Sequence, residues 1–103
     1  MDRQGLGRVR SLLAAAFGPR LQGVVLYGSE ARGDGEPDSD VDLLVLLTGP
    51  IRVWEDIRTI TAALYPLQLE MDRPLSAIPA EASAYDAMDR SLYRNARREG
   101  IRV

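Results

Sequence analysis

The chain has 103 residues, with no His, no Cys and no Lys, so all 13 of its basic residues are Arg. That excludes imidazole acid–base catalysis, disulfide scaffolds, thiolate metal sites and a Walker-type phosphate loop with its lysine. A net charge of −2 with 27% charged residues does not favour non-specific binding to nucleic acid. Catalysis is left to carboxylates, hydroxyls, backbone amides, arginines or a bound metal.

This length suits one domain spanning 1–103. The longest apolar run, Leu43 to Leu47, is far short of a membrane span, and a soluble cytoplasmic protein is expected. In chain order, Leu6, Val9, Leu12, Leu13, Ala16 and Phe17 predict a helix over Gln4–Phe17, stopped by Gly18 and Pro19. Leu21–Tyr27 predicts a short buried strand. Gly28–Asp38, with three Gly and one Pro, predicts a loop with one helical turn at most. Asp40–Leu47 is the clearest strand. Val53–Leu64 predicts an amphipathic helix through Val53, Trp54, Ile57, Ile60, Thr61 and Leu64, ended by Pro66. Leu67–Ile78 predicts an extended strand. Leu67, Leu69 and Met71 share one face, Gln68, Glu70 and Asp72 the other, and Pro74 marks an edge or a bulge. A helix follows from Pro79 to about Met88, then another over Arg90–Glu99 capped by Gly100, and Ile101–Val103 is a candidate terminal strand. The order α-β-β-α-β-α-α predicts a mixed α/β (α+β) domain with a small sheet of three or four strands flanked by helices.

The informative stretch joins Gly28-Ser29-Glu30-Ala31-Arg32-Gly33 to Ser39-Asp40-Val41-Asp42-Leu43. Asp40 and Asp42, two apart at the head of a strand, project from one face. Such a pair suits a hard cation such as Mg²⁺; a solvated strand end is the plainer alternative. Gly28 after a buried strand permits positive φ and close approach of a phosphate to the backbone. Ser29 offers a hydroxyl and an N–H where a helix can start, or simply caps a turn. Arg32 offers its charge to a phosphate oxygen, or pairs with Asp34 or Glu36. Taken together, these residues predict a site for a nucleoside triphosphate with Mg²⁺.

The spacing Gly28-Ser29-x10-Asp40-x-Asp42 resembles the signature of the DNA polymerase β-like nucleotidyltransferase superfamily. The wider strings, and the ending from Leu92 to Ile101, resemble its small prokaryotic branch, the minimal nucleotidyltransferases. The resemblance implies a nucleotidyltransferase fold, ATP as the usual substrate and two Mg²⁺ ions. It implies that Asp40 and Asp42 are catalytic and hold metal, that Gly28, Ser29 and Arg32 bind the nucleotide, and that a third carboxylate stands on a later strand. Asp72 is the preferred third residue and Glu70 the alternative; a charged outer face on an edge strand is the bland reading. Glu30 departs from the basic residue common at that place in relatives.

Larger members carry a second helical domain that completes the acceptor pocket, for which 103 residues leave no room. The resemblance therefore implies an acceptor on another protein. Minimal nucleotidyltransferases are often paired with a helical HEPN-domain protein in toxin–antitoxin modules, acting as the antitoxin that adenylylates a Tyr of the toxin. Two other readings stand beside this one: a module that neutralises its partner by contact, and an aminoglycoside-type enzyme acting on a small molecule. A homodimer is open, and no residue reads the base. Arg90, Arg94, Arg97 and Arg98 line one helix face, either a docking surface for an acidic partner or RNA, or a solvated face. Trp54 and Tyr65 are expected in the core or facing a partner.

Overall fold

The protein is seen in a computed structural model, which describes residues 1–33 and 39–103, the side chain of Ser29 excepted. Helix α1 (Arg3–Phe17) starts where the Asp2 carboxylate accepts from the Gly5 N–H at 2.8 Å, and it ends at Gly18, whose φ is +59°. A 3₁₀ turn leads into β1 (Leu21–Tyr27). Then come the single turn α2 (Ser29–Arg32), strand β2 (Val41–Leu47) and the long helix α3 (Val53–Glu70). Strand β3 (Leu75–Glu81), the short helices α4 (Ala82–Asp86) and α5 (Ser91–Glu99), and β4 (Ile101–Arg102) complete the chain.

The sheet runs β3-β2-β1-β4; β1 is antiparallel to β2 and to β4, and β2 and β3 are parallel. Helices cover both faces, which is why β2 reads as a continuous apolar run. Val41, Leu43, Val45 and Leu47 point to α1 and α3, where Leu6, Val9, Leu13, Ile60 and Leu64 meet them. Leu44 and Leu46 point to α4 and α5, against Tyr85, Tyr93 and Ala96. Tyr85 and Tyr93 meet edge to face with ring centroids 6.0 Å apart.

The expected strand over Leu67–Ile78 is corrected: α3 runs through Pro66 to Glu70, and the strand begins only at Leu75. Ile60, Leu64 and Leu67 continue one buried helical stripe, while Leu69 is 68% exposed. The helical stripe therefore prevails over the alternation of Leu67, Leu69 and Met71. Pro66 deprives the Ala62 carbonyl of its donor, but both residues face water, so that carbonyl is not left dry. The expected helix from Pro79 is corrected too. Pro79 to Glu81 pair with β2, and the helix starts at Ala82. Val53 and Trp54, expected on the buried face of α3, are exposed, Trp54 by 75%; Asp56 is buried there instead. Arg20 forks onto the Asp56 carboxylate at 3.0 and 3.1 Å, and the Arg52 N–H donates to it at 3.0 Å.

Strand β3 is at the edge, as Pro74 suggested. The Val41 N–H donates to the Pro74 carbonyl, so the even residues of β3 bond inward to β2 and the odd ones face outward. Gln68 accepts from the outward Leu75 N–H at 2.7 Å and donates to the Arg73 carbonyl at 2.9 Å. Pro79, also outward, has no N–H to offer.

Candidate active site

The site is built where β1 hands over to α2 and where β2 begins. Antiparallel pairing sets Tyr27 opposite Asp42, and parallel pairing sets Asp42 opposite Ser76. Tyr27, Asp42 and Ser76 thus form one row across the sheet, on the face covered by α4 and α5. Asp40 shares that parity just ahead of β2 and is exposed, while Asp42 is half-buried. Gly28 has φ +76°, and a Cβ there would lie 2.9 Å from Asp42 Oδ2. The residue that permits close approach to the backbone therefore sits directly on the Asp42 carboxylate.

Among the described residues neither the Asp40 nor the Asp42 carboxylate has a hydrogen-bond or ion-pair partner. Burial first, and then the neighbouring charge of Asp40, push the Asp42 carboxyl above its ordinary range. Burial and Asp42 likewise raise the Tyr27 hydroxyl. Two unpaired carboxylates on one strand face, one of them partly desolvated, suit a divalent cation with open positions for phosphate oxygens. A pocket of about 200 Å³ opens beside Tyr27 and Gly28, lined also by Arg32, Leu92, Asn95 and Glu99.

The other expected site residues fall as follows. Ser29 opens α2, and its side chain lies outside what is described. Arg32 donates to Glu99 at 3.1 Å; its expected partners Asp34 and Glu36 lie outside the described residues. Glu70 is on α3, not on a strand, and its carboxylate is bound by Arg8, which lowers its pKa. Asp72 lies in the exposed bend between α3 and β3. The shared strand face on which both acids were expected does not exist. Among the described residues no three acidic side chains gather as a metal ligand set.

Two residues of the site escaped the sequence reading. Tyr27 carries the signal of its position, one place before Gly28 at the strand end. Arg73 carries none. It donates from Nη1 to Glu30 at 2.7 Å, from Nε to the Ser39 carbonyl at 2.8 Å, and from Nη2 to Ser39 Oγ at 3.1 Å. The N-terminal amine also binds Glu30, and amine and Arg73 together hold that carboxyl below its ordinary range. Glu30, a departure from the expected pattern, thus anchors Arg73, which ties α2 to Ser39 ahead of β2. The arginines of α5 are largely engaged locally, Arg94 on the Met88 carbonyl and Arg97 on the Asp86 carbonyl.

The sequence profile described as "Nucleotidyltransferase domain" matches residues 7–83, which contain every element from the body of α1 to the start of α4. The chain belongs to the nucleotidyltransferase domain family. The fold agrees. This nucleotidyltransferase domain is similar to a Sulfolobus solfataricus protein assigned as a nucleotidyltransferase, with a TM-score of 0.57 and 20% identity over 82% of this chain and 73% of that one. It is also similar to a chain of a toxin–antitoxin complex crystallised with AMP-PNP, with a TM-score of 0.57 and 21% identity over 94% and 70% of the two chains. A chain from a variant of the MntA–HpeT toxin–antitoxin complex gives 0.59 and 20% identity, over 94% and 69%. No curated protein matches this domain in sequence. None of its helices among the described residues is long and apolar enough to cross a membrane.

Proposed function

We propose that this domain is a Mg²⁺-dependent nucleotidyltransferase that moves AMP from ATP onto a hydroxyl of a partner protein. The observation that carries the reading is the seating of Gly28 against Asp42, with Asp40 on the same face and neither carboxylate paired among the described residues. In the transfer, the acceptor oxygen bonds to the α-phosphorus and the bond from that phosphorus to its bridging oxygen breaks. Pyrophosphate leaves, and the hydroxyl proton passes to solvent. Bound at the carboxylates, Mg²⁺ supplies charge neutralisation for the triphosphate and the leaving oxygen. Asp40 and Asp42 hold and orient it. Gly28 admits a phosphate to the backbone, Ser29 adds a hydroxyl, and Arg32 offsets phosphate charge from its place beside the pocket.

An exposed Asp40 at the strand end suits an acceptor presented by another protein. A Tyr of a helical HEPN-domain toxin is the acceptor we favour, with this chain as antitoxin; two of the similar structures come from toxin–antitoxin complexes. Neutralisation by contact is the second reading, favoured by the lack of a third gathered carboxylate among the described residues. The test is incubation of the chain with labelled ATP, Mg²⁺ and the product of the adjacent gene. Label is expected on the partner, and Asp40→Asn with Asp42→Asn is expected to abolish it while the far-UV spectrum and melting curve persist. Full transfer by the double variant sinks the reading. Complex formation without label selects the second one.

A further inference from the structure

The metal that the family implies can be set against the row of residues it would meet. The offset between β2 and β3 is constant at 34 residues, from Val41 with Leu75 to Leu47 with Glu81. Asp42 therefore has Ser76 beside it on the same face, one strand spacing (roughly 4.8 Å) away. Asp40 is level with Pro74, whose carbonyl accepts from Val41. Asp72 lies two residues further out, past the end of the ladder and in a bend. Glu70, at the end of α3, is engaged by Arg8 of α1. The strand position from which a third carboxylate would meet the other two is thus held by a hydroxyl, a neutral oxygen with less attraction for a hard dication.

We propose that Ser76 occupies the third ligand position, so that this chain by itself loads one divalent cation, on Asp40 and Asp42, and not two. The proposal rests on the reading of that pair given above. It makes the chain competent to hold a metal–nucleotide but leaves the attacking oxygen without a second ion. The test is electron paramagnetic resonance of the full chain with Mn²⁺ and a non-hydrolysable ATP analogue. Two Mn²⁺ ions roughly 3.5–4 Å apart give an exchange-coupled spectrum, and one gives an isolated six-line signal. The expected result is the isolated signal for the natural chain and for Ser76→Ala, and the coupled spectrum for Ser76→Asp. A coupled spectrum from the natural chain overturns the proposal whether or not the variant folds. So does an isolated signal from Ser76→Asp that melts as a folded protein. No protein-bound Mn²⁺ in any form instead overturns the Asp40–Asp42 pair itself, and the proposal with it.

Discussion

Gly28 shows how one missing side chain shapes the site. Its φ of +76° is left-handed, and its Cα faces Asp42 Oδ2. Gly28→Ala is expected to cost about 1–2 kcal/mol in backbone strain. It should also displace the Asp42 carboxylate. The expected outcome is a lower midpoint in urea together with weaker Mg²⁺-dependent nucleotide binding, read by calorimetry. Gly28, Asp40 and Asp42 were all legible in the sequence as residue types at a spacing. Their contact was not, because it depends on the antiparallel register that sets Tyr27 against Asp42. Asp56 makes the same point for stability. Helical periodicity places it on the buried stripe of α3, but nothing local names Arg20 as its partner. Arg20 holds the Asp56 carboxyl below its ordinary range. The stabilisation is therefore complete above the unfolded value of about 4 and is lost as pH falls through the lower folded value. Asp56→Asn is expected to lower stability by about 2 kcal/mol at neutral pH and to flatten the acid limb below about pH 4, measured by urea unfolding across pH.

Among the elements, α1, β1, β2 and α5 follow from local pattern, since each has an apolar stripe or run with a stop signal at its end. Helix α3 does not. It contains a proline one turn from its end, and the residues around that proline alternate like a strand. The spacing Ile60, Leu64, Leu67 outweighs both signals because it completes a stripe against β2 and α1. Proline in a helix interior costs about 3 kcal/mol relative to Ala. Pro66→Ala restores a donor for the Ala62 carbonyl but frees the unfolded chain, so a net gain of about 2 kcal/mol is expected. A fall in the thermal midpoint would show that the helix depends on the ring. The displaced start of β3 is also why the third acid could not be placed from sequence. Once Glu70 is helical, the strand face that would have carried it and Asp72 is gone.

Across the whole molecule, the site depends on contacts between segments far apart in the chain. Arg73, just ahead of β3, ties Glu30 of α2 to Ser39 before β2, so the ends of the loop are fixed by a residue from a third segment. Arg73→Gln is expected to destabilise the fold by about 2 kcal/mol in chemical denaturation, with Arg73→Lys intermediate because it keeps the charge but not the fork. The mixed α/β class, a small sheet flanked by helices, was legible from the order of elements. The clamp was not, since no pattern links residues 43 apart in sequence.

The edge strand β3 also bears on how the molecule can assemble. With the Leu75 N–H satisfied by Gln68 and no N–H on Pro79, two of the outward donor positions along β3 are closed to an incoming strand. The opposite rim, β4, is only two residues long. Fewer free donors make β3 a weaker template for an added strand. A protein partner of the kind proposed would then be read by side chains on the helices and at the mouth of the site, where point substitutions leave the sheet undisturbed.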